Sequence, residues 1–110
     1  GFAKYYAFYY YANFLTRMEK PIVLSGLKTI EEEASSTQNH FLGGASKGAV
    51  KRIVKSFEDK KKKAQEDMSS EKNEKTKLEL QEKISNCDTI IQTANDVLAR
   101  LNKSAEQKKN

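Results

Sequence analysis

The side chains that could carry chemistry are few in this sequence, and they are scattered. The chain of 110 residues has one histidine, His40, and one cysteine, Cys87. A carboxylate-bridged metal centre in a helical bundle needs Glu-x-x-His pairs on two helices, but Thr37 stands three residues before His40. A zinc site needs more nitrogen and sulfur ligands than this chain holds. We therefore expect no metal, no cofactor and no catalytic residue.

Two other segments have part of the composition of a ligand site. Residues 43–48, Gly-Gly-Ala-Ser-Lys-Gly, contain the glycines of a phosphate-binding loop, but Ala49 and Val50 follow where Lys and Ser or Thr are required. The acidic run 31–33 cannot converge on a metal ion, because consecutive helix residues point in different directions. The sequence therefore predicts a protein that is not an enzyme.

The clearest structural signal is a heptad-like pattern in the last third of the chain. Apolar residues recur there at alternating steps of four and three, at Leu80, Ile84, Cys87, Ile91, Ala94, Leu98, Leu101 and Ala105. This coiled-coil spacing predicts one long amphipathic helix, which we expect to start near Ser69 or Ser70. Ile90 and Val97 widen the apolar stripe, which favours a bundle of several helices. Cys87 lies on the seam, so we expect a buried and unreactive thiol.

Two earlier segments show the same helical period. One stripe is formed by Val50, Ile53, Val54 and Phe57, and a weaker one by Val23, Leu27, Ile30, Ala34 and Phe41. Gly43 and Gly44 predict a break between these helices, with Ser46 as the cap of the second one.

Residues 2–14 contain eight aromatic side chains in thirteen positions. Placed at 100° per residue, they surround a helix and do not define one stripe. The helix could be central, with its whole girth in the core, or it could contact a partner protein or a membrane surface, since tyrosine suits both settings. The candidate interface residues are Tyr5, Tyr6, Tyr9, Tyr10, Tyr11 and Phe14.

The predicted fold is an all-α bundle in one domain, with four helices near 3–19, 22–42, 46–67 and 71–107. The last helix would be about 55 Å long at 1.5 Å per residue. The helix of residues 46–67 is too short to cover it, so its far half must pack on the first two helices or stay open.

The net charge of +5 is concentrated in the middle of the chain, where residues 46–77 carry 11 basic and 6 acidic side chains. Residues 47–63 are therefore a candidate strip for nucleic acid, polysaccharide or anionic lipid. The candidate contacts are Lys47, Lys51, Arg52 and Lys55. Neighbouring acids dilute this potential, so a solvated helix face is the plainer interpretation.

The leading functional hypothesis is a helical module that binds another protein. The example we favour is a surface or secreted protein, and the Lys- and Asn-rich composition without Trp is typical of a low-GC microbial source. The alternatives are an accessory or structural subunit that docks into a larger assembly, for example a membrane-associated one, self-association, or anion binding through residues 47–63. No apolar run approaches the roughly 20 residues of a membrane span.

Overall fold

A computed structural model describes the backbone of residues 2–36 and 40–109, and the side chains of residues 6–36 and 44–103. The helices are α1 (Phe2–Leu15), α2 (Lys20–Ser36), α3 (His40–Ser70) and α4 (Glu74–Lys109). These elements leave no β-strand within the described backbone. The predicted all-α helical bundle with a long C-terminal helix is therefore confirmed, α4 having 36 residues.

The helices form two antiparallel pairs, α1 with α2 and α3 with α4, and the two pairs lie side by side. In the α3–α4 pair, Lys61 Nζ lies 2.5 Å from Asp88 Oδ1. α1 runs along α3 in the same direction, because Tyr9 lies beside Gly48 and Thr16, just after α1, accepts a hydrogen bond from Lys60 further along α3. α2 packs on α4, where Arg100 Nε donates a hydrogen bond of 2.5 Å to Glu31 Oε2. The described part of α1 packs on α3, contacts α2 sparsely and does not contact α4.

The core of the bundle is a single cluster to which all four helices contribute. Its members on α4 are buried at alternating steps of three and four, at Cys87, Ile90, Ala94, Val97 and Leu101. Ile91 and Leu98, which continue the predicted seam, are only half-buried. The centre of the apolar stripe is therefore rotated toward Ile90 and Val97, because α4 must face α2 as well as α3.

The predicted break at Gly43 and Gly44 is wrong. α2 ends at Ser36 and α3 already begins at His40, so both glycines and Ser46 lie inside α3. Ser46 is fully buried and does not cap a helix. Glycine lowers helix propensity by only about 1 kcal/mol relative to alanine, so two glycines do not have to end a helix of 31 residues. The connection itself, residues 37–39, lies outside the described residues.

The start of the last helix also differs from the prediction. Ser69 and Ser70 are the final residues of α3, and their hydroxyls donate to the carbonyls of Glu66 and Asp67. Asn73 caps α4 instead, because its Oδ1 accepts a hydrogen bond of 3.1 Å from the Thr76 amide. An asparagine at this position satisfies one of the unpaired amides of a first helical turn.

The bounds of α1 and α3 also differ from the prediction. α1 ends at Leu15, four residues before the predicted end. α3 has 31 residues, so it is about 46 Å long and accompanies most of α4. The expectation that α3 is too short is therefore wrong, and α2 also packs on α4. The bundle measures 55 × 26 × 19 Å.

Candidate functional site

One face of α1 is built into the bundle. Ala12 and Leu15 are fully buried, and Tyr9 is half-buried beside Gly48 of α3. A side chain at position 48 would collide with the Tyr9 hydroxyl, so the glycine permits this close approach. The next residue, Ala49, is also small and is fully buried. Small residues on α3 thus provide the surface on which the bulky side chains of α1 pack.

The opposite face of α1 is aromatic and exposed to solvent. The exposed fractions are 52% for Tyr6, 72% for Tyr10 and 42% for Phe14. Residues four apart are rotated by only about 40° around a helix, so these three side chains form one row. We call this row the outer aromatic stripe. Exposure of three large aromatic side chains in one row has no explanation in the packing of the bundle.

The structure divides the six predicted interface residues into groups. Tyr6, Tyr10 and Phe14 form the outer aromatic stripe, whereas Tyr9 packs on α3. Tyr11 is half-buried and stacks on Phe14, with ring centroids 6.2 Å apart. The side chain of Tyr5 lies outside the described residues. The alternative of a central helix whose whole girth is core is therefore wrong, because α1 lies at the edge of the bundle.

An open groove separates α1 from α2 at residues 7–11 and 29–33. Its volume is about 470 Å³, and its walls are Ala7, Phe8, Tyr11, Thr29, Ile30 and Glu33. The helices diverge from a tight contact at their connected ends, where a Cβ at Gly26 would lie 2.5 Å from Leu15 Cδ1. The sequence did not indicate this groove, since a helix pattern predicts buried faces and not the angle between two helices.

The four predicted anion contacts do not converge on one point. Lys47 and Arg52 are five residues apart on α3, which rotates them by about 140° around the helix. Lys51, Arg52 and Lys55 are exposed, and Lys55 lies 3.8 Å from Asp59. These side chains form a broad solvated face rather than a pocket.

Lys60 and Lys61, later in the same basic run, contribute to the fold. Lys61 is paired with Asp88 across the α3–α4 pair. Lys60 donates a hydrogen bond to the carbonyl of Thr16, just after the end of α1, and its Nζ lies 4.5 Å from the centre of the Phe57 ring. Partial burial lowers the pKa of Lys60, with Cys87 acting in the opposite direction. The run 60–63 is therefore only partly available to an anionic partner.

Cys87 is buried on the inner face of α4, as the heptad pattern predicts. Burial raises the pKa of its thiol above the ordinary value of 9.0, and the nearby Lys60 acts in the opposite direction. The residue lines a crevice of about 610 Å³ beside the α1–α2 connection. Three acids and three lysines also line this crevice, so it has no charge preference: Glu19, Glu79, Glu82, Lys20, Lys60 and Lys83.

The fold and its surfaces define the protein as an all-α bundle with an exposed aromatic edge helix. None of the described helices is long and apolar enough to cross a membrane. Within the described residues, no three His, Cys, Asp or Glu side chains are grouped so that they could hold a metal ion. Comparison with known protein families, curated sequences and solved structures found no match to this chain.

Proposed function

We propose that this chain is a non-catalytic binding module that contacts another protein through the outer aromatic stripe. The observation that carries the proposal is the exposure of Tyr10, 72%, in line with Tyr6 and Phe14 on the solvent side of α1. Tyrosine is enriched at the centres of protein interfaces, where its ring is buried while its hydroxyl keeps a polar partner.

The position of α1 also supports this proposal. A helix at the edge of a bundle normally turns polar side chains to solvent. The three stripe positions of α1 have aromatic side chains instead, and the only charged residues in the helix-and-turn segment 2–18 are Lys4 and Arg17. A small number of large apolar anchors with few charges is the composition of an interface core.

Crosslinking from the stripe itself tests the proposal. A photoreactive phenylalanine analogue replaces Tyr10, and the purified chain is irradiated in extract of its source organism. We expect a defined crosslinked protein that is lost when Tyr6→Ser and Phe14→Ser are added. Because Phe14 also stacks on Tyr11, the circular dichroism and unfolding midpoint of the double variant are measured beside those of the parent, so that loss of the contact surface is distinguished from loss of folding.

Leu78 on α4 provides the matched control, because it is 65% exposed but lies outside α1. The same photoreactive residue at position 78 should not capture the same protein. Equal capture from both positions, or capture from position 10 that survives the two serine substitutions, would contradict the proposal. Capture of a second copy of the chain would indicate self-association through the stripe, as would a dimeric mass in light scattering at both low and high salt.

Anion binding by residues 47–63 is the second candidate, and the exposure of Lys51 and Arg52 supports it. The two candidates differ in their salt dependence. Binding through phosphate or sulfate contacts falls steeply with ionic strength, whereas burial of aromatic side chains does not. Reversal of Lys51, Arg52 and Lys55 to Glu should leave the Tyr10 crosslink intact, and its loss would favour the anionic partner.

A further inference from the structure

The groove between α1 and α2 is a separate candidate site, because its walls combine apolar surface with one carboxylate. Phe8, Tyr11 and Ile30 provide the apolar surface, and Glu33 lies on the α2 wall. The volume of about 470 Å³ is in the range of small-molecule sites, about 300–1,000 Å³. A site of this kind holds a ligand by its apolar area and orients it by a few polar groups.

The charge of the groove decides what it can hold. Glu33 is exposed and makes no ion pair with the described side chains, unlike Glu31, which is held by Arg100. No basic side chain lines the groove within the described residues. Thr29 donates its hydroxyl proton to the Ser25 carbonyl at 3.2 Å, so its oxygen can still accept a hydrogen bond. The described polar groups of the groove are therefore the Glu33 carboxylate, the Thr29 hydroxyl and the Tyr11 hydroxyl, and the carboxylate is the one charged group among them.

Aromatic rings beside an acceptor favour a cation over a neutral group. The face of a phenylalanine or tyrosine ring attracts an ammonium group, and the attraction grows when water is excluded. An anion would be repelled by the Glu33 carboxylate, and a neutral ligand would gain no attraction from its charge. We propose that the α1–α2 groove binds a small organic cation, an aryl or alkyl chain that ends in an ammonium group. This proposal is independent of the outer aromatic stripe.

Three ligands of the same shape and different charge test the proposal. The probes are 4-phenylbutylamine, 4-phenyl-1-butanol and 4-phenylbutyrate, titrated into the full ¹⁵N-labelled chain and followed by amide chemical shifts. We expect the amine to bind most tightly and to shift the amides of residues 7–11 and 29–33. The net charge of +5 would by itself favour the butyrate, so a preference for the amine requires a local negative site.

Matched variants locate that site. Glu33→Gln keeps the shape of the side chain and removes its charge, so it should weaken amine binding about fivefold and leave the alcohol unchanged, which is the range of an exposed ion pair. Glu32→Gln is the control, since Glu32 is exposed but does not line the groove. Ala7→Leu fills part of the groove and should weaken both the amine and the alcohol.

Several results would overturn the proposal. Equal affinity for all three probes would mean that the groove is only an apolar surface. Tighter binding of the butyrate would mean that a basic group governs the site. Amide shifts outside residues 7–11 and 29–33, or an equal effect of Glu32→Gln and Glu33→Gln, would place the cation elsewhere on the bundle. Glu32 and Glu33 are both exposed, so we do not expect either substitution to unfold the protein. An amide spectrum like that of the parent checks this for each variant.

Discussion

The hydroxyl of Tyr9 on α1 lies directly over the Cα of Gly48 on α3, in the space that a Cβ at position 48 would occupy. The next nearest atoms of the same ring, Cζ and Cε1, would be 3.1 and 3.3 Å from such a Cβ. This contact fixes how closely the aromatic helix approaches the bundle. It also accounts for a glycine in the interior of a helix, where glycine is otherwise unfavourable.

We therefore expect Gly48→Ala and Gly44→Ala to have different effects on stability. A Cβ at Gly44 meets no atom within 4 Å, so alanine there should stabilise α3 by about 1 kcal/mol through helix propensity. The same gain at position 48 is offset by displacement of Tyr9, and overpacking of this kind costs about 1–3 kcal/mol. Urea unfolding should show Gly48→Ala to be less stable than Gly44→Ala by about that amount.

The source of this difference can be checked in the same assay. Tyr9→Phe removes the hydroxyl that a Cβ at position 48 would meet first. In a double-mutant cycle, Gly48→Ala should cost less in the Tyr9→Phe background than in the parent. Equal costs in the two backgrounds would show that the Tyr9 hydroxyl does not limit the approach of α1.

Lys60 should hold the end of α1 against α3. Lys60→Met removes the hydrogen bond to the Thr16 carbonyl and the contact with the Phe57 ring. We expect a loss of about 1 kcal/mol in the free energy of unfolding, because methionine keeps part of the packing and partial burial already disfavours the ammonium. Amide hydrogen exchange of residues 12–18 should accelerate more than that of α4.

Lys62→Met is the control for this prediction. Lys62 is exposed and belongs to the same lysine run, but it lies two residues after Lys60 and is therefore rotated by about 200° around α3. Its replacement should change stability by less than about 0.5 kcal/mol. If both variants lose the same stability, the effect comes from the net charge and not from the contact with Thr16.

The Cys87 thiol should respond to pH in a direction set by its burial. Burial raises the pKa of this thiol above 9.0 in the folded state, so its contribution to the stability of the folded protein is fully present below pH 9.0. That contribution is lost as the pH rises from 9.0 through the raised pKa, since the unfolded chain ionises first. The parent should therefore lose more stability than Cys87→Ala between pH 8 and 10, measured by urea unfolding.

A thiol reagent provides an independent measurement of the same residue. Reaction of Cys87 with a disulfide reagent at pH 8 should be slow in the native protein and fast in denaturant, because the residue is 3% exposed. A native reaction rate close to the denatured rate would contradict both the burial and the raised pKa. The denatured chain serves as its own control.

Much of the fold could be predicted because it depends on local patterns. The three-and-four spacing on the last helix, together with few Gly and Pro, requires an amphipathic helix in any tertiary setting. The burial of Cys87 follows from the same spacing. The errors fell at helix ends, where short segments can continue or stop at nearly equal free energy. α3 continues through Gly43 and Gly44, and Asn73 caps α4 where two serines were expected.

The candidate sites depended on tertiary structure. The sequence determined that the first helix is aromatic all round, so that no choice of face could be made from its periodicity. Only the docking of α1 on the small residues of α3 decided that Tyr9 turns inward and Tyr10 outward. The divergence of α1 from α2 likewise placed Phe8 opposite Glu33. The physical reason is that a sequence pattern gives the faces of each helix, whereas interhelical distance and angle arise from the volumes of side chains on two helices together.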